Sequence, residues 1–291
     1  MKLRKLLLLT LSAVAPLSLM SCGNTSSRLK IVHFDQSILG EASKDLGVSI
    51  GMKQNSTALK NSINNVLETI SQTQRNEWMT LSVDRANEEN VTRGNGLQLD
   101  GNPNKVLYVG LECDYAPFNW TETTPTDYTY PINGLNGQYA AGYDVLIAYQ
   151  IAKSLGYDLK IQKMDWDALI PWAQQGENRI IIAGMTDTEE RRLSIDFTDE
   201  YWKSELVLVV KENSKYANAT SLEDFKGAKI VSQTSTVTDD VITSWVDSYG
   251  VNHLSPLDTF STCAIAVQNG TADAMTAELP VATSIVNGTN R

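Results

Sequence analysis

Histidine and cysteine are scarce in this chain, two and three among 291 residues. A metal centre built on imidazole or thiolate has almost nothing to draw on, and no C-x-x-C spacing is present. Cations are short as well: 24 Lys and Arg face 34 Asp and Glu, a formal net charge of −10. A surface of that sign repels phosphate backbones and anionic lipid heads, which argues against nucleic acid as a partner. With 18 Gly and 8 Pro the chain is neither collagenous nor of low complexity. Apolar runs are short after the N-terminus, and none approaches the roughly 20 residues that a membrane span needs. What remains is a 42% hydrophobic chain able to bury a sizeable core, of a length that suits one large domain or two modest lobes.

The N-terminus reads as an address. Lys2, Arg4 and Lys5 precede an apolar stretch, Leu6 to Leu19, broken only by the hydroxyl residues Thr10, Ser12 and Ser18. It closes on Leu19-Met20-Ser21-Cys22, which resembles a bacterial lipobox, where the cysteine is acylated and becomes the new N-terminus. Residues 1–21 are then a lipoprotein signal peptide, and 22–27 a flexible tether. The expected location is extracytoplasmic, with the protein anchored to the cell membrane through the lipid on Cys22.

From Lys105 onward short β-branched runs alternate with helical periodicity. Val106–Leu111, Leu159–Gln162, Arg179–Ala183, Glu205–Val210, Lys229–Ser232 and Asp273–Thr276 read as strands. Tyr143–Leu155, Trp166–Gln175, Thr238–Tyr249 and Ser261–Asn269 read as helices, the first ending on Gly156. Such alternation predicts βαβ units in two lobes. Ahead of it, Leu29–Phe34 and Leu46–Met52 read as strands and Ser56–Thr73 as one amphipathic helix. Residues 89–103, polar and rich in Gly and Asn, read as a linker, and Thr121–Gln138 as a polar segment with several turn signals.

Six segments then fall in one order: Gly110 to Phe118 (GLECDYAPF), Gly142 to Val145 (GYDV), Trp166 to Pro171 (WDALIP), Ala183 to Arg191 (AGMTDTEER), Ile195 to Thr198 (IDFT) and Ala272 to Pro280 (ADAMTAELP). In this order they resemble the polar amino-acid-binding proteins of bacterial ABC uptake systems. The resemblance implies an α/β, two-lobe, periplasmic-binding-protein-like type II fold. Each lobe would be a mostly parallel sheet flanked by helices, joined by two hinge strands. It implies no enzyme activity, no cofactor and no metal. The partners it implies are a free polar or basic amino acid, captured by hinge closure, and an ABC permease that receives it.

The segments that family members carry after ADAMTAELP stand here before it. Leu46 to Lys53 (LGVSIGMK) resembles the returning hinge strand, and Asn55 to Trp78 the closing helix. A circular permutation is therefore expected, with 28–50 in lobe 2, 51–88 and 104–205 in lobe 1, and 206–291 in lobe 2. On that map residues 29–34 lie beside the strand at 273–276, and 56–73 pack on lobe 1. A piece of a tandem array is the alternative to a functional permutant. An amino-acid sensor or a dehydratase-like relative on the same fold is the alternative function. Cys113 and Cys263 fall in opposite lobes, where a disulfide would lock the hinge, so two free thiols are expected.

An amino acid carries an α-carboxylate and an α-ammonium, so its binder needs a cation, an anion and neutral dipoles in one cleft. The resemblance assigns the carboxylate clamp to Arg191, whose guanidinium meets a carboxylate bidentately. Gly184 and Thr186 would add backbone approach and a polar contact. In lobe 2, Gln233 and Thr236 lie in the loop that opens the Thr238 helix, where the family often has Gly in place of Ser235. Glu278 stands where the family has an Asp that holds the α-ammonium. Tyr115 and Trp166 would sandwich the aliphatic stem, and Glu112 would meet the far end of the ligand side chain.

Overall fold

A computed structural model describes residues 28–39, 46–88 and 90–290. The leader and Cys22 lie outside the described residues. In chain order, β1 (Leu29–Val32), β2 (Gly47–Lys53), α1 (Thr57–Thr69) and α2 (Gln72–Arg85) come first. Then follow β3 (Asn102–Leu111), β4 (Asp114–Tyr115), β5 (Asn119–Glu122), β6 (Tyr130–Pro131), β7 (Tyr139–Ala141), α3 (Tyr143–Leu155) and β8 (Tyr157–Lys163). A 3-10 turn at Trp166–Ala168 leads into α4 (Leu169–Ala173), β9 (Arg179–Ile181), α5 (Glu189–Arg192) and β10 (Ile195–Lys203). The last part holds β11 (Leu206–Lys211), β12 (Lys229–Val231), α6 (Val237–Tyr249), β13 (Asn252–His253), α7 (Phe260–Asn269), β14 (Ala274–Glu278) and α8 (Leu279–Thr289).

The strands form two five-stranded sheets, ordered β10-β2-β9-β3-β8 in lobe 1 and β1-β11-β14-β12-β13 in lobe 2. Both are mixed. β3 runs parallel to β8 and β9, and β12 parallel to β13 and β14, whereas β2, β10, β11 and β1 add antiparallel edges. The antiparallel members flank the two crossings between lobes, one at residues 204–205 and one between β1 and β2. β2 lies wholly in the lobe 1 sheet, so that lobe begins at Gly47 rather than at residue 51.

β1 does not pair with β14 as expected. It pairs with β11, Leu29 opposite Lys211, and β11 separates it from β14. Five of the six residues of β11 are buried, which suits a strand covered on both edges and both faces. α1 packs on lobe 1 against β10 and α3, as its apolar face predicts. The helix expected over 56–73 is broken. α1 stops at Thr69, Ile70 turns extended, and Ser71 caps a second helix by accepting from Gln74 N at 3.2 Å. Arg75 fills the break, donating to Leu67 O at 2.7 Å and Ile70 O at 3.2 Å.

From Gly94 onward the expected linker is fastened to lobe 1. Gly94 N donates to Pro125 O and Leu97 N to Thr129 O, both at 2.8 Å, and the Leu97 and Leu99 side chains pack on the core. Its final residues, Asn102 and Pro103, already belong to β3. The polar segment 121–138 supplies β6 and the end of β5 in a third, four-stranded sheet, β4-β5-β7-β6, at one end of lobe 1. Cys113 and Cys263 are both buried free thiols.

Candidate functional site

Ligands of open α/β sheets sit outside the carboxyl ends of parallel strands, and four such ends converge here. Glu112 follows β3, Gly184 and Thr186 follow β9, Gln233 to Thr236 follow β12, and Glu278 ends β14. They border a small cavity lined by eight of the nine expected residues: Tyr115, Trp166, Gly184, Thr186, Arg191, Gln233, Thr236 and Glu278. Glu112 stands behind the lining, joined to it by Gln233 Nε2, which donates to Glu112 Oε1 at 2.9 Å.

Arg191 lies on α5, a single turn capped by Thr188, whose hydroxyl accepts from Arg191 N at 3.2 Å. The guanidinium donates to Thr186 O at 2.7 Å and to Ser235 O at 2.9 Å, and its carbon lies 5.4 Å from the centre of the Trp166 ring. Burial works against its charge, with Asp240, Glu190 and Glu278 opposing that pull. Trp166 Nε1 also donates to Ser235 O, at 3.2 Å. Ser235 presents this carbonyl to lobe 1 from a left-handed backbone, φ +58°. That conformation is the physical reason a glycine suits the position.

Across the cavity, Glu278 is 6% exposed and accepts from the Tyr115 hydroxyl at 2.5 Å. Burial pushes its carboxyl above the usual range, against the pull of the Tyr115 bond. Burial likewise raises Glu112 to about 7, opposed by the bond from Gln233. Behind the lobe 2 loop runs a chain of neutral groups. Thr236 caps α6, its hydroxyl accepting from Asp239 N at 3.2 Å and donating to Gln233 O at 2.7 Å. Thr238 pairs with Ser232 at 2.9 Å, and Thr276 donates to Thr238 O at 2.8 Å.

The aromatic sandwich is not arranged as expected. The Tyr115 ring is enclosed by Phe118, stacked at 5.2 Å, and Phe260, tilted at 4.9 Å. Its ring thus meets Phe260 and its hydroxyl Glu278 across the cleft, and Trp166 is faced by Arg191 instead of an open slot. Three lining residues escaped the sequence reading: Val237, Thr238 and Phe260. Phe260 opens α7 behind the capping box of Thr259 and Thr262, a readable helix start but not a readable site. Among the described residues, no group of three or more His, Cys, Asp or Glu is placed to hold a metal ion.

The profile of the bacterial extracellular solute-binding proteins, family 3, matches residues 107–279, more than half of the chain. The chain belongs to that family. It is similar to an arginine-binding extracellular protein of Bacillus subtilis strain 168, 30% identical over 136 residues, which cover 47% of each protein. A putative ABC transporter arginine-binding protein of Escherichia coli K12 is 25% identical over 188 residues, covering 65% of this chain and 69% of the relative. Among solved structures, an ancestral arginine-binding protein bound to arginine superposes with a TM-score of 0.53 at 32% identity, covering 64% of this chain and 75% of that one. The chain spans about half the length of the first curated relatives it matches, 47% and 44% of the two leading ones. Membership brings the two-lobe type II fold.

Proposed function

We propose that this protein captures a free polar or basic amino acid between its lobes and delivers it to an ABC permease. The observation that carries the reading is one cation and one buried anion on opposite lobes of a single cavity, Arg191 and Glu278. A zwitterion satisfies both at once, with the α-carboxylate on the Arg191 fork and the α-ammonium on Glu278. Gly184, Thr186, Gln233 and Thr236 complete the cradle, and Tyr115 and Trp166 bound it. Glu112 lies toward the ligand's side chain, where a second carboxyl favours a donor-bearing end. Relatives described as arginine-, histidine- and glutamine-binding support that class.

Capture proceeds by closure, lobe 1 first through Arg191, then lobe 2 with Glu278, expelling water. A lipid on Cys22 would hold the protein at the membrane, beside its permease. We also read the chain as a functional circular permutant, with residues 28–88 supplying what the family carries after α8. In support, Asn290 Oδ1 accepts from Leu29 N at 2.9 Å and Asn290 Nδ2 donates to Leu29 O at 2.8 Å, so β1 continues spatially from α8.

A thermal-shift screen of the full chain against the twenty amino acids and cystine tests the reading. A clear rise in melting temperature with at least one polar or basic amino acid is expected. No shift with any of them, from a folded chain, would overturn it.

A further inference from the structure

Asp144 is a carboxylate with zero exposure that takes no part in the cavity. It sits in the first turn of α3, and its two oxygens are held by different donors. Oδ2 accepts from Asn119 Nδ2 at 2.8 Å, and Oδ1 from the Tyr201 hydroxyl at 2.7 Å. Each donor reaches on to a loop that faces the cleft. Asn119 Oδ1 accepts from Cys113 N at 2.6 Å, and the Tyr201 oxygen accepts from Gly184 N at 2.9 Å. Asn119 and Tyr201 are themselves fully buried.

We propose that Asp144 is a positioning residue: through Asn119 it orients the loop bearing Glu112 and Tyr115, through Tyr201 the loop bearing Gly184 and Arg191, and so it sets the two in register. Both loops need holding. Cys113 has φ +58°, a left-handed backbone that a residue with a side chain disfavours. Gly184, at φ +59°, lies so close to Tyr115 that an added Cβ would stand 2.6 Å from the Tyr115 ring. The same Tyr201 lies near the end of β10, just before the crossing to lobe 2, and its carbonyl accepts from Tyr143 Oη at 2.9 Å and Arg75 Nη1 at 2.8 Å. One buried acceptor therefore joins both lobe 1 binding loops to the strand that feeds the hinge. Burial raises its carboxyl to about 7, while the bonds from Tyr201 and Asn119 pull it down.

The proposal deepens the amino-acid-binding reading and rests on it for its functional consequence, whereas the network itself is testable without a ligand. Backbone hydrogen exchange, resolved by residue in the full chain, reads Cys113 and Gly184 directly. Tyr201→Phe should speed exchange at Gly184 on the order of tenfold, the effect of losing one strong hydrogen bond, and leave Cys113 unchanged. Asn119→Ala should do the reverse. Asp144→Asn, which cannot accept from both donors as the carboxylate does, should loosen both loops and leave residues 229–236 of lobe 2 as they were. Equal loosening of both loops by Tyr201→Phe, or no loosening by any folded variant, would overturn the proposal.

Calorimetric titration of L-arginine, L-glutamine and L-histidine into the same proteins gives the functional arm. Binding weakened on the order of tenfold by Tyr201→Phe is expected. Unchanged affinity in variants whose loops have loosened would reduce the network to a structural role. If the wild-type chain binds none of the three and none of the twenty amino acids, the functional reading falls, while the exchange result still decides the network.

Discussion

The two halves of the cavity are supported by different chemistry. In lobe 1 the groups behind the binding loops converge on a buried carboxylate, Asp144, through Asn119 and Tyr201. In lobe 2 they are hydroxyls and one amide: Ser232, Thr236, Thr238, Thr276 and Gln233. Bonds to an ionised carboxylate are about twice as strong as neutral ones, so on the proposed network the lobe 1 half-site is the stiffer. That asymmetry suits a binder in which one half waits preformed and the other closes over it. Under the proposed function it would also separate the charges of an amino acid, the carboxylate going to the Arg191 half and the ammonium to the Glu278 half.

The largest test of this division removes the cation. Arg191→Ala should weaken amino-acid binding by about 100-fold or more, because it leaves a desolvated carboxylate unpaired, and titration calorimetry reads it. Circular dichroism should show the fold intact.

Glu112→Gln comes next and acts on stability. The folded pKa of Glu112 is about 7 against an ordinary 4.5, because burial disfavours its charge. A carboxyl so raised costs nothing below its unfolded pKa. It costs progressively more as pH rises through the interval, and a constant amount above the folded value. The neutral variant should therefore be more stable at pH 8, by up to about 3 kcal/mol, and match the wild type near pH 4. Denaturant unfolding at the two pH values checks this, and an advantage that grew toward acid pH would contradict it.

Thr276→Val probes the neutral side. It removes the side-chain donor that the buried Thr238 carbonyl has beyond its helical bond and should cost about 1 kcal/mol in denaturant unfolding. Hydrogen exchange at Cys113 and Gly184 should not respond, since their support lies in the other lobe. Smallest is Ser235→Gly. It relieves a left-handed backbone and should stabilise the chain by at most about 1 kcal/mol.

Much of this arrangement was legible in the sequence, because strand ends and helix starts leave local signals. The loops after β3, β9, β12 and β14 could be located from short apolar runs followed by turn or capping residues, and eight expected residues meet at one cavity. What stayed hidden depends on contacts between distant segments. Asp144 reads locally as an acidic residue in a first helical turn, and only the meeting of α3, β5 and β10 makes it the centre of a network. Cys113 and Ser235 adopt left-handed backbones without being glycine, so no residue type marked them. Phe260 covers Tyr115 from another lobe, which no spacing could show. The break between α1 and α2 was the exception: Ser71 followed by Gln74 is a start signal that the continuous apolar face outweighed.

The central claim is that one ligand bridges Arg191 and Glu278 through its two α-charges. Calorimetry of the full chain with the amino acid giving the largest thermal shift, and with its α-amide, tests this most directly. The account predicts that the amide, lacking the carboxylate, binds about 100-fold more weakly, and that Arg191→Ala erases the difference. Equal affinity for acid and amide in the wild-type protein, or no binding by any amino acid, would contradict it.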